Sequence, residues 1–180
     1  MCKVMKRDNV VLVNRQDHAI GEMDKMEAHL KGALHRAFSI LIFNSKGEML
    51  LQKRGKQKYH GAGLWTNTCC SHPQLGENVK QSARERLMFE MGLSCELDFL
   101  FSFVYRSKVE NNLIEHEFDH VFIGYSDLQP KPNIMEVEDF KWISRKDLRT
   151  EIEKHPEQFT CWFREIVAKI WDNISAVYSL

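Results

Sequence analysis

The sequence predicts an α/β (α+β) fold, a mixed β-sheet sandwiched between α-helices, on two observations. Short β-rich runs, "VVLVN", "HRAFSILIFN", "EMLLQKRG", "FLFSFVYRS" and "EHEFDHVFIGYS", recur between turn signals such as "NSKGE". Two other segments carry apolar residues at helical spacing instead. In "ENVKQSARERLMFEMG" Val79, Ala83 and Leu87 fall four apart, and Gly92 supplies a C-terminal stop. In the tail "PEQFTCWFREIVAKIWDNISAVYSL" Phe163, Ile166, Ile170 and Ile174 keep the same period. The predicted order is sheet strands, one central helix and a long C-terminal helix. At 180 residues the chain suits a single domain, taken as residues 1–180, that buries about two-thirds of its unfolded surface. No repeat, low-complexity tract or Pro/Gly-rich linker divides it.

Charge narrows the choice of partner. With 25 basic and 25 acidic residues the net charge is zero, so no global field argues for nucleic acid or for an anionic membrane. An anionic ligand must therefore be met by local clusters. "MCKVMKRDNVVLVN" scatters charges where an export signal needs an apolar stretch, and "AFSILIF" is far short of the roughly 20 residues of a membrane span. Five cysteines without a secretory signal suit reduced thiols. The expectation is a soluble, cytoplasmic protein.

Two stretches gain meaning from strand geometry, because side chains two apart on a strand share a face. In "TCCSH" an extended backbone turns Cys70 and His72 one way and Cys69 the other. In "EHE" it pairs Glu115 with Glu117 and opposes His116. With His29 and His35 these supply three imidazoles and two carboxylates, a mixed set suited to Mn²⁺, Zn²⁺ or Mg²⁺. Taken singly, each histidine is more readily an ordinary core or surface residue, and Glu-x-Glu a solvated face. A basic cluster, Lys53, Arg54, Lys56 and Lys58, precedes the Gly-rich turn of "QKYHGAG" and could grip a phosphate through charge and free backbone N–H groups, or be only a solvated turn. Arg86 and Glu90 lie four apart on one helix face, placed for a salt bridge or for a diphosphate met by Arg86 directly and by Glu90 through a metal.

"TNTCCSHP", the following "LGE", a helix ending "FEMGL" and then "EHE" together resemble the type I isopentenyl-diphosphate isomerases of the Nudix-fold superfamily, from roughly Val10 to the C-terminal helix. The resemblance implies a Nudix-like sheet-and-helix fold and a prenyl diphosphate as the small-molecule substrate, in a monomer or weak homodimer. It places a metal, Mn²⁺, Mg²⁺ or Zn²⁺, among His29, His35, His72, Glu115 and Glu117, and associates Glu90 with a Mg²⁺ carried by the diphosphate. Lys25, Arg54, Lys58 and Arg86 would hold the diphosphate. Cys70 and Glu117 would be the catalytic pair, with Tyr105 hydrogen-bonding near Glu117 and Trp162 facing a cationic intermediate. Where hydrolases of that superfamily carry Arg-Glu and then a Glu-Glu pair, this chain has Glu85-Arg86 and Phe89-Glu90, so its helix keeps one carboxylate.

Moving a double bond through a tertiary carbocation needs an acid and a base on opposite sides of an apolar, water-poor pocket. Cys70 is expected to titrate nearer neutrality than a serine could, and Glu117 to take its proton affinity from a bound metal and Tyr105. Two other classes stand beside this one. A Nudix hydrolase would activate water with the box glutamates that are missing here, and a non-catalytic metal- or phosphate-binding module would need no thiol.

Overall fold

The computed structural model describes residues 7–173, so Ile174 of the predicted tail helix lies outside the described residues. The sheet is organised on "HRAFSILIF", strand β3 (His35–Phe43), buried at every residue but Arg36 and Phe43. An almost unbroken apolar run of this kind belongs in the middle of a sheet covered on both faces. Strand β1 (Asn9–Val13) touches β3 at Leu12 opposite His35 and pairs with β2 (Ala19–Asp24). Strand β4 (Met49–Arg54) meets β3 at its far end and pairs with β5 (Trp65–Thr66). Strand β6 (Cys69–Ser71) lies antiparallel to β3, with Cys70 opposite Ser39 and Cys69 opposite Ile40. Strands β7 (Leu97–Lys108) and β8 (Ile114–Tyr125) form a long antiparallel pair, and β8 runs parallel to β3 with Glu117 opposite His35. The last strand, β9 (Val137–Ile143), pairs with β4.

Alternation along β3 sorts the core into two layers. Phe38, Ile40 and Ile42 point to the face shared with Cys69, where helix α2 (Val79–Met91) lays down Ala83, Leu87 and Met91. Asn78 caps α2 through its side chain, and Gly92 ends it at φ 63°, a left-handed conformation favouring glycine. The opposite face carries Leu41, Val121 and Tyr105 and is covered by helices α3 (Arg145–Lys154) and α4 (Cys161–Asn173), through Leu148, Trp162, Phe163 and Ile166. This is the expected sheet sandwiched between helices. No helix among the described residues is long and apolar enough to cross a membrane.

Besides the short β5 and β6, four elements escape the periodicity argument, and the predicted order is corrected by them. Strand β2 is mostly exposed, so its sequence shows no apolar alternation. Helix α1 (Lys25–Lys31) has seven residues, too few for a period to show, and is defined instead by its ends, the Asp24 side chain on the Glu27 N–H and Gly32 at φ 62°. Strand β9 has charged residues at Glu138, Asp139 and Lys141, and α3 buries only Leu148.

Candidate active site

One end of the α4-covered face opens into a cleft of about 260 Å³, lined among others by Lys25, Arg54, Lys58, Cys70, His72, Arg86, Glu90, Tyr105, Glu115, Glu117 and Trp162. Register accounts for most of this convergence. Glu117 sits opposite His35 on one side of β3 and Cys70 opposite Ser39 on the other, so His35, Cys70 and Glu117 project to the same face. Glu115 follows two residues before Glu117 and is likewise buried, whereas His116 turns away, its Nδ1 2.8 Å from Gly32 O. Tyr105 faces Glu117 across the β7–β8 ladder.

The histidines are aimed by their backbones. His29 donates from Nδ1 to Lys25 O at 2.7 Å, and His35 from Nδ1 to Ala33 O at 2.8 Å. Each therefore keeps an Nε2 lone pair directed inward. His35 Nε2 is buried without a hydrogen-bond partner and lies 3.5 Å from Glu117 Oε1. His72 Nε2 is 2.8 Å from the same oxygen. One potential ligand atom each from His29, His35, His72 and Glu117 falls within 4.8 Å of the others, and a second group of the same compactness joins His29, His60 and Glu115. Imidazole lone pairs and carboxylate oxygens that converge in a buried pocket fit a divalent ion.

Charge is distributed so that the carboxylates stay ionised. Burial pushes Glu117 up, but its contacts with His35 and His72 outweigh it and hold the carboxyl well below its ordinary range. Glu115 is also lowered, since contacts with His29 and His60 overcome burial and the adjacent Glu117. His72 is pushed down to about 4, chiefly by burial, and is neutral, the form that ligates metals. Burial drives the Cys70 thiol up to about 12 against the pull of Arg54, so it stays protonated at neutral pH.

The basic residues gather on the other wall. The β4–β9 register slips by one residue, with Glu138 of β9 the extra one, just before Arg54. Arg54 Nη1 reaches Cys70 Sγ at 3.7 Å, its Nη2 donates to His60 O at 3.0 Å, and its guanidinium lies 5.0 Å from the Trp162 ring centroid. Gly61, at φ 59°, leaves room for it, since a Cβ there would sit 3.2 Å from Arg54 Nε. Lys25 has its pKa lowered, first by burial and then by Lys58. Arg86 bonds Glu90 at 2.6 Å and Glu136 at 3.2 Å, and Glu136 also holds Lys58. Arg54 and Arg86 each bury an Nε–H that has no partner. Lys53 and Lys56 instead face Glu138 outside the cleft, at 3.6 and 3.7 Å. Two amides of the Gly-rich turn are taken within the protein: Gly61 N–H donates to the Glu110 carboxylate at 3.3 Å and Gly63 N–H to Arg54 O at 2.9 Å.

Apart from Lys53 and Lys56, the sequence-predicted site residues line this cleft or, as His29 and His35, lie beside its lining. Sequence reasoning missed His60, Tyr59 and Glu136, which also line it. His60 and Tyr59 stood within the quoted "QKYHGAG", where the neighbouring lysines drew the phosphate reading. Glu136 lies in a polar segment with no pattern to single it out.

Residues 33–163 match the NUDIX domain. Solved structures of similar shape include DR0079 of Deinococcus radiodurans, with a TM-score of 0.76 at 20% identity over 89% of this chain and 98% of that one. A MutT protein of Methanosarcina mazei gives 0.64 at 20% identity, over 79% and 96% of the two chains. The fold is therefore that of a NUDIX protein. The Isopentenyl-diphosphate Delta-isomerase 2 of Photorhabdus laumondii is 50% identical over 158 residues, spanning 88% of this chain and 89% of its own length. The Isopentenyl-diphosphate Delta-isomerase of Pectobacterium atrosepticum is 47% identical over 175 residues, spanning 97% and 98%. The chain belongs to the isopentenyl-diphosphate Delta-isomerases within the NUDIX superfamily.

Proposed function

We propose that this cleft interconverts isopentenyl and dimethylallyl diphosphate, with Cys70 and Glu117 as the proton-transferring pair. The observation that carries the assignment is the placement of a thiol and a carboxylate in one cleft, presented to it from strands on either side of β3. In the forward direction one member of the pair adds a proton to the terminal methylene carbon, leaving a tertiary cation. The other removes a proton from the carbon nearer the diphosphate, so the double bond moves with no net change in atoms or electrons. Cys70 is poised to give a proton and Glu117 to take one. Tyr105, donating to Glu117 at 2.6 Å, steadies the carboxylate.

The remaining residues position and shelter. Arg54, Lys58, Arg86 and Lys25, which line one wall of the cleft, would hold the diphosphate through their charges. Anchoring there lets binding energy fix the alkene between the two groups. Trp162, buried on α4, offers an indole to the cation, an interaction of about 2 kcal/mol in a desolvated site. His29, His35, His72, Glu115 and Glu117 would hold a divalent ion, Mn²⁺, Mg²⁺ or Zn²⁺, and Glu90 a Mg²⁺ brought by the diphosphate. A bound ion supplies positive charge that sets the proton affinity of its carboxylate ligands.

Helix α2 contributes Arg86, Phe89 and Glu90 to the cleft, so Glu90 is its one carboxylate there. That favours isomerisation over hydrolysis, which draws on several box carboxylates. The reduced thiols Cys69, Cys70, Cys95 and Cys161 suit a cytoplasmic setting. Turnover of isopentenyl diphosphate in D₂O tests the reading. Deuterium should enter the dimethylallyl product without phosphate release, and release of phosphate with no isotope in any prenyl product would overturn it.

A further inference from the structure

We infer that Glu136 is a resident counter-ion that competes with the incoming diphosphate for Lys58 and Arg86, and so sets the affinity of the cleft for substrate and product. This rests on the reading of those two cations as holders of the diphosphate and adds a carboxylate of opposite effect. Glu136 lines the cleft immediately before β9, and its two oxygens are divided, Oε2 accepting from Lys58 Nζ and Oε1 from Arg86 Nη2 at 3.2 Å. The side chains of Glu136, Lys58 and Arg86 are largely buried, at 21%, 19% and 15% exposure. Cations held this far from water need a counter-charge. Among the described residues, Glu136 gives Lys58 its one ion pair. Two anionic oxygens set against a lysine and an arginine are also what a phosphate group would present to them.

The backbone decides which part of this contact can yield. Lys131 N–H donates to Met91 O and Asn133 N–H to Glu90 O, each at 2.8 Å, fastening the segment to the end of α2. Glu136 N–H donates to Asn133 O and its carbonyl accepts from Gly55 N–H, both at 2.9 Å. A Cβ on Gly55 would sit 3.0 Å from that carbonyl, so β4 and the Glu136 main chain are in close contact. The main chain is pinned on two sides, and the side chain is the part that swings away. Arg86 keeps Glu90 at 2.6 Å when it does, while Lys58 exchanges its carboxylate for the diphosphate. A carboxylate that stayed would stand as a like charge beside the ligand. A counter-ion in place about nine-tenths of the time raises the apparent dissociation constant about 10-fold. Substrate and product carry the same diphosphate, so the return of Glu136 favours release of either.

The test is calorimetric titration of the purified protein with inorganic pyrophosphate in a Mg²⁺ buffer, for wild type and Glu136→Gln. Glutamine keeps the shape and removes the charge, so this variant should bind pyrophosphate about 10-fold more tightly. A gain of affinity is a result that a purely structural residue does not give. Unchanged or weaker binding would overturn the inference, leaving Glu136 as a tie between loop and helix or as part of the holding wall. Absence of binding by both proteins would overturn it too, because the cations would then form no anion site. Should the glutamine variant fail to fold, Glu136→Asp decides the question. Its carboxylate, one methylene shorter, loses its span of the two cations, so pyrophosphate should bind more tightly than to wild type, and equal or weaker affinity would overturn the inference. These titrations read binding alone. Tighter pyrophosphate binding in Glu136→Gln, beside wild-type protein that incorporates no deuterium from isopentenyl diphosphate in D₂O, would uphold the counter-ion and overturn the isomerase reading, and the converse pair of results would do the opposite.

Discussion

Tyr105 and Glu117 face each other across the β7–β8 ladder, and the phenol donates to Glu117 Oε2 at 2.6 Å while lying 3.3 Å from Glu115 Oε2. One hydroxyl therefore touches both carboxylates of the candidate centre. A bond to a buried ionised group is worth about 2 kcal/mol. Tyr105→Phe, which keeps the ring, should lower kcat by about 30-fold and leave KM for isopentenyl diphosphate close to the wild-type value. Unchanged kcat would remove Tyr105 from the mechanism.

Metal removal should be as damaging as removal of a ligand. His72 and His35 both approach Glu117 Oε1, at 2.8 and 3.5 Å, so the loss of either an ion or an imidazole changes the charge seen by the same carboxylate. Chelator treatment should abolish turnover and added Mn²⁺ or Mg²⁺ restore it, with His72→Ala nearly inactive under all conditions. Near-normal turnover by a metal-stripped sample would contradict the metal assignment.

Stability in acid should depend on Glu77. Arg7 reaches Glu77 at 2.9 Å, Ser82 Oγ at 3.1 Å and His72 O at 3.3 Å, tying residues ahead of β1 to the cysteine motif. Burial pushes Glu77 up, but the Gln74 backbone N–H, Ser82 and Arg7 outweigh it and lower its pKa from 4.5. A carboxyl lowered in the folded state stabilises it above the unfolded pKa, and that contribution fades as pH falls through the folded one. Glu77→Gln should thus be less stable than wild type at neutral pH, with the gap closing below pH 4.5, read as urea midpoints. A gap independent of pH would show that the charge is not what matters.

Some of this site was legible because strand geometry is strict. A period of two in "TCCSH" and "EHE" separates Cys69 from Cys70 and Glu115 and Glu117 from His116, and the observed register agrees. Lys25, Tyr105 and Trp162 came from family resemblance, since no spacing links a first-helix lysine or a C-terminal indole to a cysteine motif. His60 and Glu136 were invisible for a different reason. Their roles depend on a turn folding back over the sheet and on a loop crossing α2, contacts that tertiary structure makes and local pattern does not encode. Arg54 stands where β4 and β9 slip register, and no propensity announces where a strand pair does so.

The adjacent cysteines give the sharpest test. Cys69 is fully buried among Phe38, Ile40, Leu87 and Phe122 beneath α2, and behaves as a small apolar side chain. Cys70 lies in the cleft, within reach of Arg54, and holds its proton at neutral pH because burial disfavours the thiolate. Cys69→Ala should fold and turn over normally, with a stability loss of about 1 kcal/mol. Cys70→Ala should keep its fold, its Mn²⁺ affinity and its KM-level affinity for the diphosphate, yet lose turnover, because anchoring does not use the thiol. Cys70→Ser should retain at most a trace, its hydroxyl being a far poorer proton shuttle. A protonated, sheltered thiol should also resist simple alkylating agents at neutral pH, whereas an electrophile carried on a prenyl diphosphate should be delivered to Cys70 or Glu117. Peptide mapping after such labelling decides the matter. Label on Cys69, or a dead Cys69 variant beside an active Cys70 one, would mean that β6 is shifted by one residue against β3, and His72 would then leave the metal centre with it.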